Sequence, residues 1–349
     1  MVSLVTVHPY VAIMALVNSR RYHCAAISAV RGCYTDAVTS YQRRSIGLSP
    51  CAEVEYSPSI DWKSIIRAQR PVIIRGLGGS WAAVNDSHPR CWKRAENLKY
   101  GAAIPRTSPP SCPEPEPVVS VEFGGNYMST DMTLVSVEYA EFIDYVFGTG
   151  QKQDAGDATL PHIYLAQQEV GSVTPHLLGD IPAVPEITRY STQPMTINNS
   201  SGTTDVLGDQ KDNIYRVNIW ISPRNIVSPA HFDPYHNLLC QLVGQKEVLL
   251  FDRDMTAHLT TMATTMAGHG DSDTSAASAP AGMRRQSNSS CIDFETEDLR
   301  AVRLQYPGYD KLRGVQAVLS AGDGLFVPYK WWHYCKSLTS SVSVNYWWL

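Results

Sequence analysis

From about residue 118 the chain is written in short apolar-rich runs, most of them separated by Gly, Pro, Asp or Asn. Successive side chains of a strand point to opposite faces, so each run predicts a strand with one buried face. The runs fall at 118–123, 163–166, 214–221, 237–243, 247–251, 317–319, 324–327 and 341–347. Ahead of them, Arg70-Pro-Val-Ile-Ile-Arg-Gly76 is a β-branched run closed by glycine and reads as the first strand of the domain. From residue 51 on, helical spacing of apolar residues is found near Trp62 to Ala68 and over Val137–Phe147. The prediction is a mainly β fold with flanking helices, an antiparallel barrel or jelly roll. Residues 105–117, with six prolines, read as a surface loop.

Two stretches break the pattern. Residues 1–50 carry Val11, Ile13, Met14, Leu16, Val17, Ala25, Ile27 and Val30 at mixed helical spacing, which predicts a short helical N-terminal extension ahead of a domain over 51–349. No Asp or Glu precedes Asp36 whereas Arg20, Arg21 and Arg31 occur, a composition shared with organelle transit peptides; a helical remnant packed on the domain is the preferred reading. Residues 261–290 are rich in Ser, Thr, Ala, Gly and Met and hold too few large apolar groups to offset the entropy of ordering. A disordered insertion is expected there, and such an excursion need not disturb a barrel.

Composition narrows the classes. With 349 residues, 44% hydrophobic and 18% charged, the chain is an ordinary globular protein with room for one sizeable domain and an extension. A net charge of -4 argues against a nucleic-acid-coating surface, which leaves nucleic acid as the weaker expectation for a partner. The eight cysteines include no Cys-x-x-Cys pair, so neither a zinc ribbon nor a disulfide framework is indicated. Reduced thiols point to cytoplasm or nucleus, with mitochondria as the alternative raised by the acid-poor N-terminus. No apolar run reaches the ~18 residues needed to cross a bilayer, so no membrane association is expected.

The chemistry is concentrated in His231-Phe232-Asp233 and, far downstream, in His333 of Tyr329-Lys-Trp-Trp-His333. In a strand His231 and Asp233 project to one side and Phe232 to the other, so one strand can supply two ligands. Two imidazoles and a carboxylate suit non-haem Fe(II) with open positions for dioxygen and a cosubstrate such as 2-oxoglutarate. Lys246, after Gly244, is the candidate cation for the distal carboxylate of that cosubstrate. Asn237, six residues after His231 and of the same parity, could donate an amide hydrogen, whereas His236 has the opposite parity and is a weaker competitor.

These segments resemble the JmjC (Jumonji-C, cupin-like) Fe(II)/2-oxoglutarate oxygenases, in particular the protein-hydroxylase branch of the Jumonji-C domain-containing protein 5 type. The resemblance runs from about residue 53 to the end and rests on Arg70–Gly76, Val121-Glu-Phe-Gly124, Tyr164-Leu-Ala-Gln167, Ser228-Pro-Ala-His-Phe-Asp-Pro234, Asn237-Leu-Leu-Cys-Gln241, Gly244-Gln-Lys246, Leu325–His333 and Ser343–Trp348. It implies a double-stranded β-helix with His231, Asp233 and His333 as iron ligands. It also implies Lys246, Tyr164 and Ser228 on the distal carboxylate of 2-oxoglutarate, Asn237 near its other end, and Trp220 and Trp347 as pocket walls. Glu122 matches an acidic position that faces the substrate in the family, and Gln167, the last residue of the Tyr164-Leu-Ala-Gln167 match, is the second candidate substrate residue. The implied reaction is hydroxylation of a protein or peptide side chain, arginine or lysine, which a carboxylate at position 122 would favour. N-methyl-lysine demethylation, tRNA-base hydroxylation and a non-enzymatic cupin-like interaction module are the alternatives; a zinc hydrolase would leave Lys246, Tyr164 and Ser228 without a role.

Overall fold

The structure, a computed structural model, describes residues 46–99, 117–124, 132–148, 162–182, 185–189, 196–198, 204–206, 214–259, 288–296 and 298–349. The strands open with β1 (Gly47–Pro50), β2 (Ala52–Glu55), β3 (Val72–Arg75), β4 (Val118–Gly124), β5 (Thr133–Glu138) and β6 (His162–Glu169). A short hairpin, β7 (Thr196–Asn198) with β8 (Thr204–Val206), follows. The central strands are β9 (Ile214–Ser222), β10 (Val227–Phe232), β11 (His236–Val243) and β12 (Lys246–Phe251). The last four are β13 (Arg313–Leu319), β14 (Gly324–Val327), β15 (Trp332–Ser337) and β16 (Ser341–Trp348). Four α-helices, α1 (Trp62–Ala68), α2 (Tyr139–Phe147), α3 (Val170–Val173) and α4 (Leu299–Gln305), flank them among the described residues.

Two sheets result, in the orders β1-β13-β12-β15-β10 and β2-β3-β14-β11-β16-β9-β6-β4-β5. Their alternating side chains build three apolar clusters. On β12, Val248 and Leu250 turn to a cluster shared with Leu239, Ala317, Leu319, Leu325 and Val327, the interior between the sheets. Leu249 and Phe251 turn the other way, onto Tyr306, Tyr309, Leu312, Trp332 and Tyr334 on the outside of the smaller sheet, under α4. On the larger sheet, Leu238, Cys240, Leu242, Val342, Val344 and Tyr346 form the outward layer with α1 and α2. This is the sandwich of a jelly roll, in which each strand shows one face to the interior and one to a helical or loop cover.

The flanking helices form where the sequence caps them. Asp61 accepts from the Ser64 backbone N–H at 3.1 Å and begins α1, which buries Trp62 and Ile66. In α2, Tyr139, Phe142, Ile143 and Val146 recur at i, i+3, i+4 and i+7 and are all buried. Between β11 and β12 the chain crosses from one sheet to the other at Gly244, whose φ of 74° is the left-handed region, and a Cβ there would collide with the Ser340 carbonyl.

Two boundaries differ from the sequence reading. Gly47–Pro50 fall in the stretch read as a helical extension, yet they form β1, paired in parallel with Arg313–Gln316. Residues 1–45 lie outside the described residues, as does most of the stretch read as an insertion. Its last three residues, read as disordered, are ordered. The Phe232 N–H donates to Asn288 O at 3.0 Å, the Ser290 N–H to Ala230 O at 2.7 Å, and Ser289 and Ser290 are buried against β10. Backbone pairing, absent from any hydrophobicity count, holds them. Among the described residues no helix is long and apolar enough to cross a membrane.

Leu250 is fully buried between the sheets, opposite His333. Leu250→Ala is expected to lower the unfolding free energy by about 2–5 kcal/mol, read as a reduced urea midpoint at unchanged slope.

Candidate metal centre

β10 meets β15 with one residue too many. Ser228 stands opposite Cys335 and His231 opposite His333, so three steps along β10 match two along β15. The extra residue is a β-bulge, which resets the alternation of faces. Ala230 and Phe232 pack outward, the latter edge-on to Trp332 at 4.9 Å, while Ser228 and His231 both turn inward although an odd number of residues apart.

Asp233 follows the end of β10. Its Oδ2 lies 3.6 Å from His333 Nε2, and the rings of His231 and His333 are 4.3 Å apart. One ligand atom from each of the three residues lies within 4.8 Å of the other two. His231 Nδ1 sits 2.8 Å from Pro229 O and His333 Nδ1 3.1 Å from Trp331 O. A carbonyl only accepts, so Nδ1 carries the hydrogen in both rings and Nε2 offers its lone pair. Burial, with His231 adding to it, pushes the His333 pKa down to about 4, which keeps the imidazole in the neutral form a metal requires. The Lys330 N–H donates to Asp233 O at 3.1 Å and ties the turn before β15 to the third ligand. Two imidazoles and a carboxylate in this arrangement fit a first-row divalent metal ion.

A buried cation stands on the same interior face. Lys246 is 3% exposed, pairs in register with Ser337 on β15, and shares the inward parity of Val248 and Leu250. Burial lowers its pKa, and among the described residues no carboxylate pairs with it. Along β12 the levels run Leu250 opposite His333, Val248 opposite Cys335, and Lys246 opposite Ser337. Ser228, opposite Cys335, therefore lies at the level between the triad and the lysine. Its Oγ donates to the Tyr164 hydroxyl at 3.5 Å, and Tyr164, 5% exposed, comes from β6 on the other sheet.

The facing wall is polar. Asn345 Oδ1 accepts from Trp220 Nε1 at 2.7 Å and from Asn218 Nδ2 at 3.3 Å, and Asn345 Nδ2 donates to Asn237 Oδ1 at 3.1 Å. Trp220 lies 6.0 Å from the Tyr164 ring, and Trp347 stacks on Tyr235 at 5.3 Å. Trp347 Nε1 and Asn218 Oδ1 are buried without a hydrogen-bond partner, which fits a wall that also serves a polar ligand. Glu122 is paired with Tyr164 across β4 and β6 and so faces the same side; burial raises its carboxyl to about 7. His236 turns away, into Phe326 and Trp348, and its Nδ1 accepts the Tyr329 N–H at 3.1 Å.

The fold thus brings His231, Asp233 and His333 together and places Ser228, Tyr164 and Lys246 on inward faces. Asn237 also faces inward, though not by the parity expected of it: the chain changes sheets between Asp233 and His236, so the two positions never share a strand. Gln167 is not walled in: it is exposed at a bulge of β6, with φ 50°. Asn345, the hydrogen-bonding centre of the facing wall, was not singled out from sequence. Its signal was present in Ser341-Val-Ser-Val-Asn-Tyr-Trp-Trp348, where polar residues recur on the inward parity of a strand otherwise fully apolar.

Manganese(II) at about 100 times its Kd is expected to stabilise the protein by about 2.7 kcal/mol, seen as a raised melting temperature. Asp233→Ala should remove that shift; an equal shift in the variant would place the metal elsewhere.

Comparison with known proteins agrees with this geometry. Residues 58–349 match the cupin-like domain family. The chain is 28% identical over 279 residues to JmjC domain-containing protein D of Dictyostelium discoideum, covering 78% of this chain and 50% of that protein. Identity is 30% over 230 residues to Jumonji C domain-containing protein 5 of Drosophila melanogaster, covering 66% and 46%. It is 28% over 306 residues to lysine-specific demethylase 8 of Danio rerio, covering 86% and 59%. The chain spans about half the length of these relatives. Every residue of the centre and its walls falls inside the matched span, and on that ground the chain belongs to the JmjC-type cupin-like family.

Proposed function

We propose that the domain is an Fe(II)- and 2-oxoglutarate-dependent oxygenase that hydroxylates an arginine or lysine side chain of a protein. The observation that carries this reading is Lys246, a buried ammonium without a counter-charge among the described residues, set along the same interior wall as the three candidate metal ligands. A buried cation is costly unless something anionic meets it, and a dicarboxylate bound to the metal at one end supplies the missing charge at the other. A simple metal hydrolase has no use for that lysine.

His231, Asp233 and His333 would hold the iron, and Lys246 with Tyr164 and Ser228 would hold the distal carboxylate of 2-oxoglutarate. When bound, iron, keto acid and dioxygen together supply an oxidant strong enough to hydroxylate a C–H bond, the keto acid leaving as succinate and carbon dioxide. Asn237, oriented by Asn345, lies on the facing wall where an amide hydrogen can reach the cosubstrate. Trp220, fixed through its Nε1, and Trp347, fixed by stacking, exclude water from that side. Glu122 supports the basic substrate: a half-buried carboxyl facing the interior side favours a cationic side chain over a neutral one. The names of two relatives, both lysine demethylases, favour a second reading, oxidation of an N-methyl group. A protein segment fits the net charge of -4 better than a nucleic acid does.

With Fe(II), ascorbate and arginine- or lysine-bearing peptides, succinate is expected to form and the peptide to gain one oxygen atom by mass; formaldehyde from methyl-lysine peptides would select demethylation instead. His231→Ala should abolish turnover and leave the circular dichroism unchanged, and turnover at the wild-type rate would overturn the assignment.

Glu122 is uncharged below about pH 7 and charged above it, so the sign of its pH effect is fixed. Affinity for an arginine peptide, whose charge is constant over this range, should rise by about tenfold from pH 6 to pH 8. Glu122→Gln should flatten the profile, and a profile unaltered by that change would remove Glu122 from the site.

A further inference from the structure

The larger sheet overhangs the smaller one. β10 ends the five-stranded sheet, whereas the nine-stranded sheet continues past β9 through β6 and β4 to a terminal strand, β5. In the β4–β5 hairpin one face is committed: Val119 and Val121 are buried in the outer core, and Val135 and Val137 pack on it. The opposite face is the one that carries the half-buried Glu122, and on it Val118, Leu134, Ser136 and Glu138 are exposed.

Register fixes what that open face presents. Glu122 pairs with Leu134, Ser120 with Ser136, and Val118 with Glu138. Val118 and Leu134 are 63% and 66% exposed, among the most exposed large apolar residues of the described structure. Glu138 is exposed and, although it precedes α2, its side chain caps nothing. The face is therefore two acid-and-apolar pairs separated by a pair of serines, with no cation among its six side chains. Paired strand neighbours lie close enough for the aliphatic stem of a lysine or arginine to rest on the apolar member while its head reaches the carboxylate. The two pairs are four residues apart along β4, roughly 13 Å at ~3.3 Å per residue, which is also the span of four residues of an extended peptide.

From this arrangement we infer that the open face of the β4–β5 hairpin binds the substrate chain beside its reacting residue, and that Glu138 with Val118 selects a second basic residue four positions away. The inference rests on the basic-substrate reading of Glu122 and extends it from one side chain to a spaced pair. The occupant is an extended polypeptide segment with arginine or lysine at both positions. Charge complementarity commits it: two carboxylates that have no counter-ion among the described residues, one at the pocket and one outside, flanked by the exposed Val118 and Leu134.

Fluorescence anisotropy on the manganese-loaded protein tests this with labelled alanine–serine peptides holding a central arginine. A lysine four positions away, on one side or the other, should tighten binding by about threefold to fivefold, as befits an exposed ion pair with some apolar support. A lysine two positions away should give no such gain. Glu138→Lys should abolish the gain, and a glutamate at the same peptide position should restore it in that variant, a swap that a merely structural role would not produce. Asp254→Lys, an exposed acid of a separate 3-10 turn, should change nothing. A gain independent of spacing, or one that survives Glu138→Lys, overturns the proposal. If Glu122→Gln weakens the arginine peptide while Glu138→Lys has no selective effect, only the second subsite fails. If no peptide responds to Glu122→Gln, or none binds, the basic-substrate reading and the subsite fall together.

Discussion

The centre depends on the register of one strand. β15 is hydrogen-bonded on both sides, to β10 and to β12, and this double pairing places His333 level with His231 on one flank and with Leu250 on the other. Slipping β15 by one residue would turn His333 outward and bring Trp332 and Tyr334 into the interior. That slip is resisted because Trp332 and Tyr334 are fully buried in the outer cluster, where Trp332 Nε1 also donates to Thr256 Oγ1 at 2.9 Å. The geometry of the candidate ligands is thus held by aromatic packing on the opposite face of the sheet.

Much of this was legible in the sequence, and what was not has identifiable causes. His231, Asp233 and His333 could be read because their residue types are chemically restrictive; the expectation that one strand supplies two of them fails, since β10 ends at Phe232 and Asp233 stands just beyond it. The bulge at Pro229–Ala230 could not be, since an extra residue changes parity without changing hydrophobicity, and Ser228 reaches the interior only because of it. Asn237 does face the interior, but not through strand parity with His231, since the chain changes sheets before it. The edges of the domain misled for a related reason: Gly47–Pro50 and 288–290 are ordered through backbone pairing, which composition does not encode.

The polar facing wall sacrifices burial of apolar surface for orientation. Asn345, Asn237, Asn218 and Trp220 use their amides and indole on one another, and further along Gln241 bonds Ser341 at 2.8 Å and Ser343 at 2.7 Å. A connected network of this kind fixes rotamers that an apolar wall would leave to packing alone. It gives the pocket side chains of one orientation before any ligand arrives, which is the condition for a centre that must hold reacting groups in line.

The two unusual ionisable groups complete the logic. Lys246 and Glu122 both turn to the interior side of the fold, one made less basic and the other less acidic by burial, and among the described residues Lys246 has no carboxylate partner. Were they in contact they would neutralise each other, and the interior would lose its demand for charged ligands. They come instead from different sheets, Lys246 from β12 and Glu122 from β4. Each is left to be satisfied from outside, the ammonium by an anion and the carboxyl by a cation. On the proposed function, separation of the two charges gives the pocket a polarity: an acidic small molecule and a basic side chain would each have a place for which the other does not compete.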